Sequence, residues 1–339
     1  MTYEEIEYDD NGNIIGSHQV GARSPLSEYM GANVDLIEAA EVPATKTRRQ
    51  LRDPEAKAAL AVFRTLNLSD LDALPEPEWL VNGIIPADGL TTLYGAPGST
   101  KSFCILDAAL CIASGTPFHG HAVKAGSAVY CVGEGLRGMR WRIESWKLAH
   151  PEADYEMLEK NLIIIPHAPR LLEPTEQVML NNTCKEVAEE RGDLKLFIID
   201  TWARSLTGGD ENSAQDAGVA IDVCEKVRAE TGATPFVVHH SGADGLRERG
   251  STALRGASDC TLHMHREETS GIITLSQKKS KDSEPFLPMK FNLQQYGHSV
   301  VLKHLTAAGG GSNSYGLGYQ SNTKEQWARE ATERRNSPF

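Results

Sequence analysis

The chain has 339 residues, 40% hydrophobic and 24% charged, with a formal net charge of −12, the composition of a globular protein with room for a full core. An acid excess of this size excludes a protein that coats nucleic acid through an all-over basic surface, although a local basic loop stays open. Six cysteines without a C-x-x-C pair exclude a zinc ribbon, and the absence of an apolar run of about 18 residues and of a signal peptide makes the cytoplasm the expected compartment.

Residues 1–75 are polar and acidic, with five acids and no base among the first ten. They read as an N-terminal arm, flexible or a small accessory element, with one helix expected at 55–66. Pro75 and Pro77 disfavour helix and mark a boundary, so the core is placed at 76–306. Apolar runs and helical patterns then alternate. Strands are expected at 90–94, 128–132, 162–166, 196–200 and 235–239. Helices are expected between them at 101–113, 137–148, 175–191 and 213–231. This order implies right-handed βαβ units, and so an α/β fold with a mostly parallel twisted sheet flanked by helices. From about 260 the helices cease, and runs at 260–265, 271–277, 288–293 and 300–305 read as antiparallel strands closing one side of the sheet. Residues 307–339 read as a linker, opening on Gly309, Gly310 and Gly311, and a charged tail with a short helix at 324–335. Several cysteines lie in apolar runs and are expected to be buried thiols.

Between the first strand and first helix of the core stand Gly95, Ala96, Pro97, Gly98, Ser99, Thr100, Lys101, Ser102 and Phe103. A glycine-rich turn from strand to helix that carries Lys-Ser in register is a phosphate-binding loop. Its backbone N–H groups converge on phosphate oxygens, and the helix N-terminus adds its dipole. Lys101 is placed for the β- and γ-phosphates of a nucleoside triphosphate, and the Ser102 hydroxyl for Mg²⁺. Thr100 departs from the pattern, which has glycine there; its Cβ is expected to crowd the phosphates and slow turnover.

Three further strands end in polar residues on the same edge. The apolar run 196–200 ends in Asp200, the Walker B shape, whose carboxylate serves the metal's water shell. A second run leads to Glu134, which fills the general-base role, since Thr201 rather than an acid follows Asp200. The third ends in His239 and His240; either can sense the γ-phosphate, and His240, next to Ser241 and Gly242, is favoured. The two histidines do not form a metal pair, because neighbours on a strand face opposite ways.

Together these residues resemble the RecA-like hexameric ATPases of the plasmid and phage replicative helicase RepA. The resemblance runs from about Trp79 to Asp282. It also rests on the segments 79–89, 132–135, 200–212, 239–242 and 254–259. It implies a ring, expected as a hexamer, or a filament, with ATP hydrolysed at subunit interfaces and Mg²⁺ as cofactor. Carried over position by position, Lys101 and Ser102 bind phosphate and Mg²⁺, Glu134 is the base, Asp200 the Walker B acid and His240 the sensor. The neighbour's finger is first Arg255, and second the pair Lys279 and Lys281, which match a Lys-x-Lys pattern used across interfaces.

Single-stranded DNA is the expected partner, and no membrane is. In such folds the loops after the Walker B and sensor strands, here 204–216 and 241–252, face the axis of the assembly. The first is acidic. The second carries Arg247 and Arg249 among glycines and can track a strand backbone. Three readings follow: a replicative helicase of RepA type, a RecA-like recombination mediator forming filaments, and a nucleotide-gated binding protein with little turnover.

Overall fold

The computed structural model describes residues 3–8, 14–20, 65–72, 74, 77–242 and 247–305. The linker and tail helix expected beyond 306, and most of the helix expected at 55–66, lie outside them. Near the N-terminus β1 (Tyr3–Tyr8) pairs antiparallel with β2 (Ile14–Val20). No strand was expected there, because acids separate the few apolar residues and leave no run to read. After one helical turn, α1 (Leu68–Asp72), β3 (Trp79–Val81) and β4 (Ile85–Pro86) form a hairpin too short for periodicity to register.

The main sheet has nine strands: β5 (Thr91–Gly95), β6 (Ser127–Val132), β7 (Leu162–Ile165), β8 (Leu194–Asp200), β9 (Thr234–His240), β10 (Cys260–Arg266), β11 (Ile273–Ser280), β12 (Met289–Tyr296) and β13 (Ser299–His304). Their order is β13-β12-β11-β10-β5-β9-β8-β6-β7. From β10 to β7 every neighbouring pair is parallel, and from β10 to β13 every pair is antiparallel. All residues of β5 and β6 are buried, as parallel strands covered on both faces must be.

Alternation along the strands supplies two cores. Tyr130, Val132, Ile198 and Val238 face α2 (Lys101–Ser114), α3 (Leu136–Ala149) and α4 (Tyr155–Asn161). Val129, Cys131, Phe197, Ile199 and Val237 face α5 (Pro174–Arg191) and α7 (Ala214–Thr231). Helix ends follow local chemistry. The Ser213 hydroxyl accepts from Asp216 N at 3.1 Å to start α7. Gly115, at φ 70°, ends α2, with Thr116 N donating to Cys111 O at 2.9 Å. Two single-turn helices, α6 (Trp202–Ser205) and α8 (Thr252–Ala257), interrupt the loops after β8 and before β10. All six cysteines are buried. No described helix is long and apolar enough to cross a membrane.

Register decides what meets at the carboxyl edge. Gly95 lies beside His240, Asp200 beside Val238, and Val132 beside Asp200. The ends of β5, β9, β8 and β6 therefore form one row, and the crossover leaving β5 runs toward β6 while the one leaving its neighbour β9 runs the other way, to β10. Ligands of open α/β sheets bind at such a switch point.

Candidate active site

The phosphate loop is shaped by what its residues lack. A Cβ on Gly95 would lie 2.1 Å from the Met264 carbonyl oxygen, so only glycine lets β5 end against β10. Thr100 has φ 71° and ψ 21°, the left-handed region, where a β-branched residue is an outlier. The expected crowding of phosphates by its Cβ is thus matched by a second cost, backbone strain of about 1–3 kcal/mol. Its hydroxyl partly offsets this by donating to Ser99 O at 2.6 Å. Thr100→Gly is expected to raise the thermal midpoint by about 2–4 °C, roughly 1 kcal/mol, whereas Thr100→Ala keeps the Cβ and the strain. Calorimetry on the two variants checks this; equal midpoints would show that the backbone there is relaxed.

Lys101 is buried, and its Nζ donates to Gly95 O and Ala96 O, each at 2.9 Å. Burial pulls its ammonium down to about 8, against the opposing pull of Asp200 and Glu134. Burial raises the Asp200 carboxyl group, against the opposing pull of Tyr130, Ser102, Arg142 and Lys101. Tyr130, fully buried on β6, donates to Asp200 Oδ2 at 2.7 Å. The sequence reading missed Tyr130, which looks there like any strand aromatic. It also missed Arg142 on α3, whose guanidinium lies 4.5 Å from the Phe103 ring centroid and favours the charged form of Asp200.

His239 and His240 separate as neighbours on a strand do. His239 is buried and its Nε2 donates to Arg249 O at 2.6 Å. His240 is partly exposed and stands near Lys101 and Glu134; burial, then the Lys101 charge, lowers its affinity for a proton. It is therefore neutral at physiological pH and offers one N–H and one acceptor. Glu134 Oε1 accepts from Arg204 Nε at 3.0 Å.

The loops after β8 and β9 are laced together. Glu211 Oε2 accepts from Arg249 Nη2 at 2.7 Å, and Glu211 O accepts from Ser251 N at 2.9 Å. Arg249 is thus paired, while Arg247 is exposed. Arg255, Lys279 and Lys281 stand elsewhere. Lys279 Nζ donates to Arg255 O and Gly256 O at 2.9 and 3.1 Å, and Lys281 pairs with Asp259 at 2.6 Å. Lys279 lies beside Thr261, and Cys260 beside Thr91 at the start of β5. Four residue steps of about 3.3 Å put that cluster roughly 13 Å down the sheet from Gly95. It belongs to the opposite edge from the chain's own phosphate loop.

Among the described residues, Ser99 Oγ, Asp200 Oδ1, Thr201 Oγ1 and His240 Nδ1 are buried without a hydrogen-bond partner. They are four of twelve such atoms among the described residues, and these four gather where β5, β8 and β9 end. The set fits a metal-bound triphosphate. Hydroxyls and imidazole would meet phosphate oxygens, and the carboxylate would face the cation's water shell. A family model described as an AAA domain matches residues 56–245, more than half of the chain. No curated protein matches it.

Proposed function

We propose that this chain, which belongs to the AAA domain family of P-loop ATPases, is an oligomeric ATP-driven motor on single-stranded DNA, a replicative helicase of RepA type. The observation that carries the reading is the split between the two edges of the sheet. Lys101, Glu134, Asp200 and His240 share the carboxyl edge, while Arg255, Lys279 and Lys281 cluster at the other. Cations at that distance serve a phosphate site only on a neighbouring copy, so hydrolysis calls for assembly in a ring or filament.

In the proposed reaction, water attacks the γ-phosphorus of ATP, the bond to the bridging oxygen breaks, and ADP and phosphate leave. Glu134 takes the water's proton. Lys101 and the loop amides hold the phosphate oxygens, and neutral His240 donates to the γ-phosphate. Ser102 and Asp200 would hold Mg²⁺, which offsets charge on those oxygens. A neighbour's Arg255, or its Lys279 and Lys281, supplies the remaining positive charge. Arg247 is the foremost DNA contact; Arg249 joins it only by leaving Glu211. The strain at Thr100 favours a second reading, a nucleotide-gated binder with little turnover. Stimulation of hydrolysis by single-stranded DNA separates the two.

A further inference from the structure

Glu134 and Arg204 lie on segments that follow different strands, β6 and β8. The backbone beneath them is fixed. A Cβ on Gly133 would come within 2.8 Å of Asp200 O, so the two segments touch at their base. Trp202, Ser205 and Leu206 are buried around Arg204, and Leu171 N donates to Ser205 O at 2.8 Å. Only the two side chains are free to choose partners, and they choose each other, with Nε to Oε1 at 3.0 Å. Both are more than half exposed, at 62% for Arg204 and 51% for Glu134.

An ion pair this exposed adds little to a fold. It matters here because one member is Glu134, the carboxylate read as the base. A carboxylate oxygen that already accepts from a guanidinium is engaged, and its lone pair is withheld from a water at the phosphate loop. The pair uses Nε of Arg204, so its Nη groups remain to meet another anion. Arg204 also opens the segment that holds Glu211, which ties it to the segment carrying Arg247 and Arg249.

We propose that Arg204 is a positioning residue that holds the Glu134 carboxylate off the attacking water, and that phosphates of single-stranded DNA free it by competing for the Arg204 guanidinium. This rests on the reading of Glu134 as base and DNA as partner. It makes the loop after the Walker B strand the link between a bound strand and the chemistry.

The test is steady-state hydrolysis by full-length Arg204→Ala, with Arg204→Gln as a second variant. Without DNA, kcat is expected to rise about 1.5- to 5-fold, the range that the strength of an exposed ion pair permits, with KM for ATP unchanged. With saturating oligonucleotide the rate matches wild type, so the stimulation factor falls. Arg204→Lys, which keeps a cation, restores most of the basal restraint. Adding Glu134→Gln removes the rise, because the effect runs through that carboxylate. A basal rate in Arg204→Ala that is unchanged or lower overturns the proposal, as does a rise that survives Glu134→Gln. If DNA does not stimulate wild type, the motor reading and release by DNA both fail. A raised basal rate in Arg204→Ala would even then show the restraint on Glu134.

Discussion

Lys101→Ala is expected to lower ATP hydrolysis by at least about 10²–10³-fold, the usual effect of removing one preorganised charge from the reacting oxygens. The side chain is buried at the first turn of α2, and its ammonium sits on the carbonyls of Gly95 and Ala96. Those carbonyls lie within the turn whose amides would hold phosphate, so the cation is already inside the site. Burial brings it to about 8 from an ordinary 10.5, which gives a pH dependence of definite sign. Below 8 the amine is charged and attracts a triphosphate; as pH rises through 8 in the free protein the charge is lost, and nucleotide affinity falls. Stability runs the other way. Between about 8 and 10.5 the unfolded chain binds more protons at this residue than the folded one, so its contribution to stability rises with pH. At pH 7 the desolvated ammonium is a net cost, and Lys101→Met is expected to be more stable there by up to about 2 kcal/mol after solvent screening. Melting curves at pH 7 and pH 9 check the sign. A methionine variant less stable at both would mean that the lysine is held by the fold, not by function.

The second large effect is Glu134→Gln, for which a loss of about 10²–10⁴ in turnover is expected with nucleotide binding intact. Glutamine keeps the shape and a hydrogen bond but cannot take a proton. Removing a negative charge close to Lys101 and His240 also favours a triphosphate, so affinity holds or tightens. Titration with a fluorescent nucleotide beside a hydrolysis assay separates the two steps. A variant retaining more than a tenth of the wild-type rate would move the base elsewhere.

The parallel strands were legible because each is a short unbroken apolar run, as strands buried on both faces must be. The phosphate loop was legible because its glycines and Lys-Ser stand at fixed offsets. Once β5, β6, β8 and β9 are parallel neighbours, their polar ends Gly95, Glu134, Asp200 and His240 fall in line. Contacts across long sequence separations left no trace. Tyr130 with Asp200, Arg204 with Glu134, and Arg249 with Glu211 are pairs that no period or motif announces. Arg249 read as a free DNA contact, whereas the fold gives it a carboxylate. Thr100 was visible as a departure, but the sequence reading located its cost in the side chain; the left-handed backbone adds a second. Lys279 and Lys281 stood out by their Lys-x-Lys pattern, while their place at the far edge of the sheet depended on β11 turning back along β10.

In the proposed function, hydrolysis is coupled to a strand of DNA. The most direct measurement is the initial rate of ATP hydrolysis by the full chain across a titration with a single-stranded oligonucleotide, with Lys101→Ala beside it. The expected result is a low basal rate that DNA raises to a plateau and that the variant abolishes. Nucleotide binding with no hydrolysis, or hydrolysis indifferent to DNA at every concentration, would contradict it.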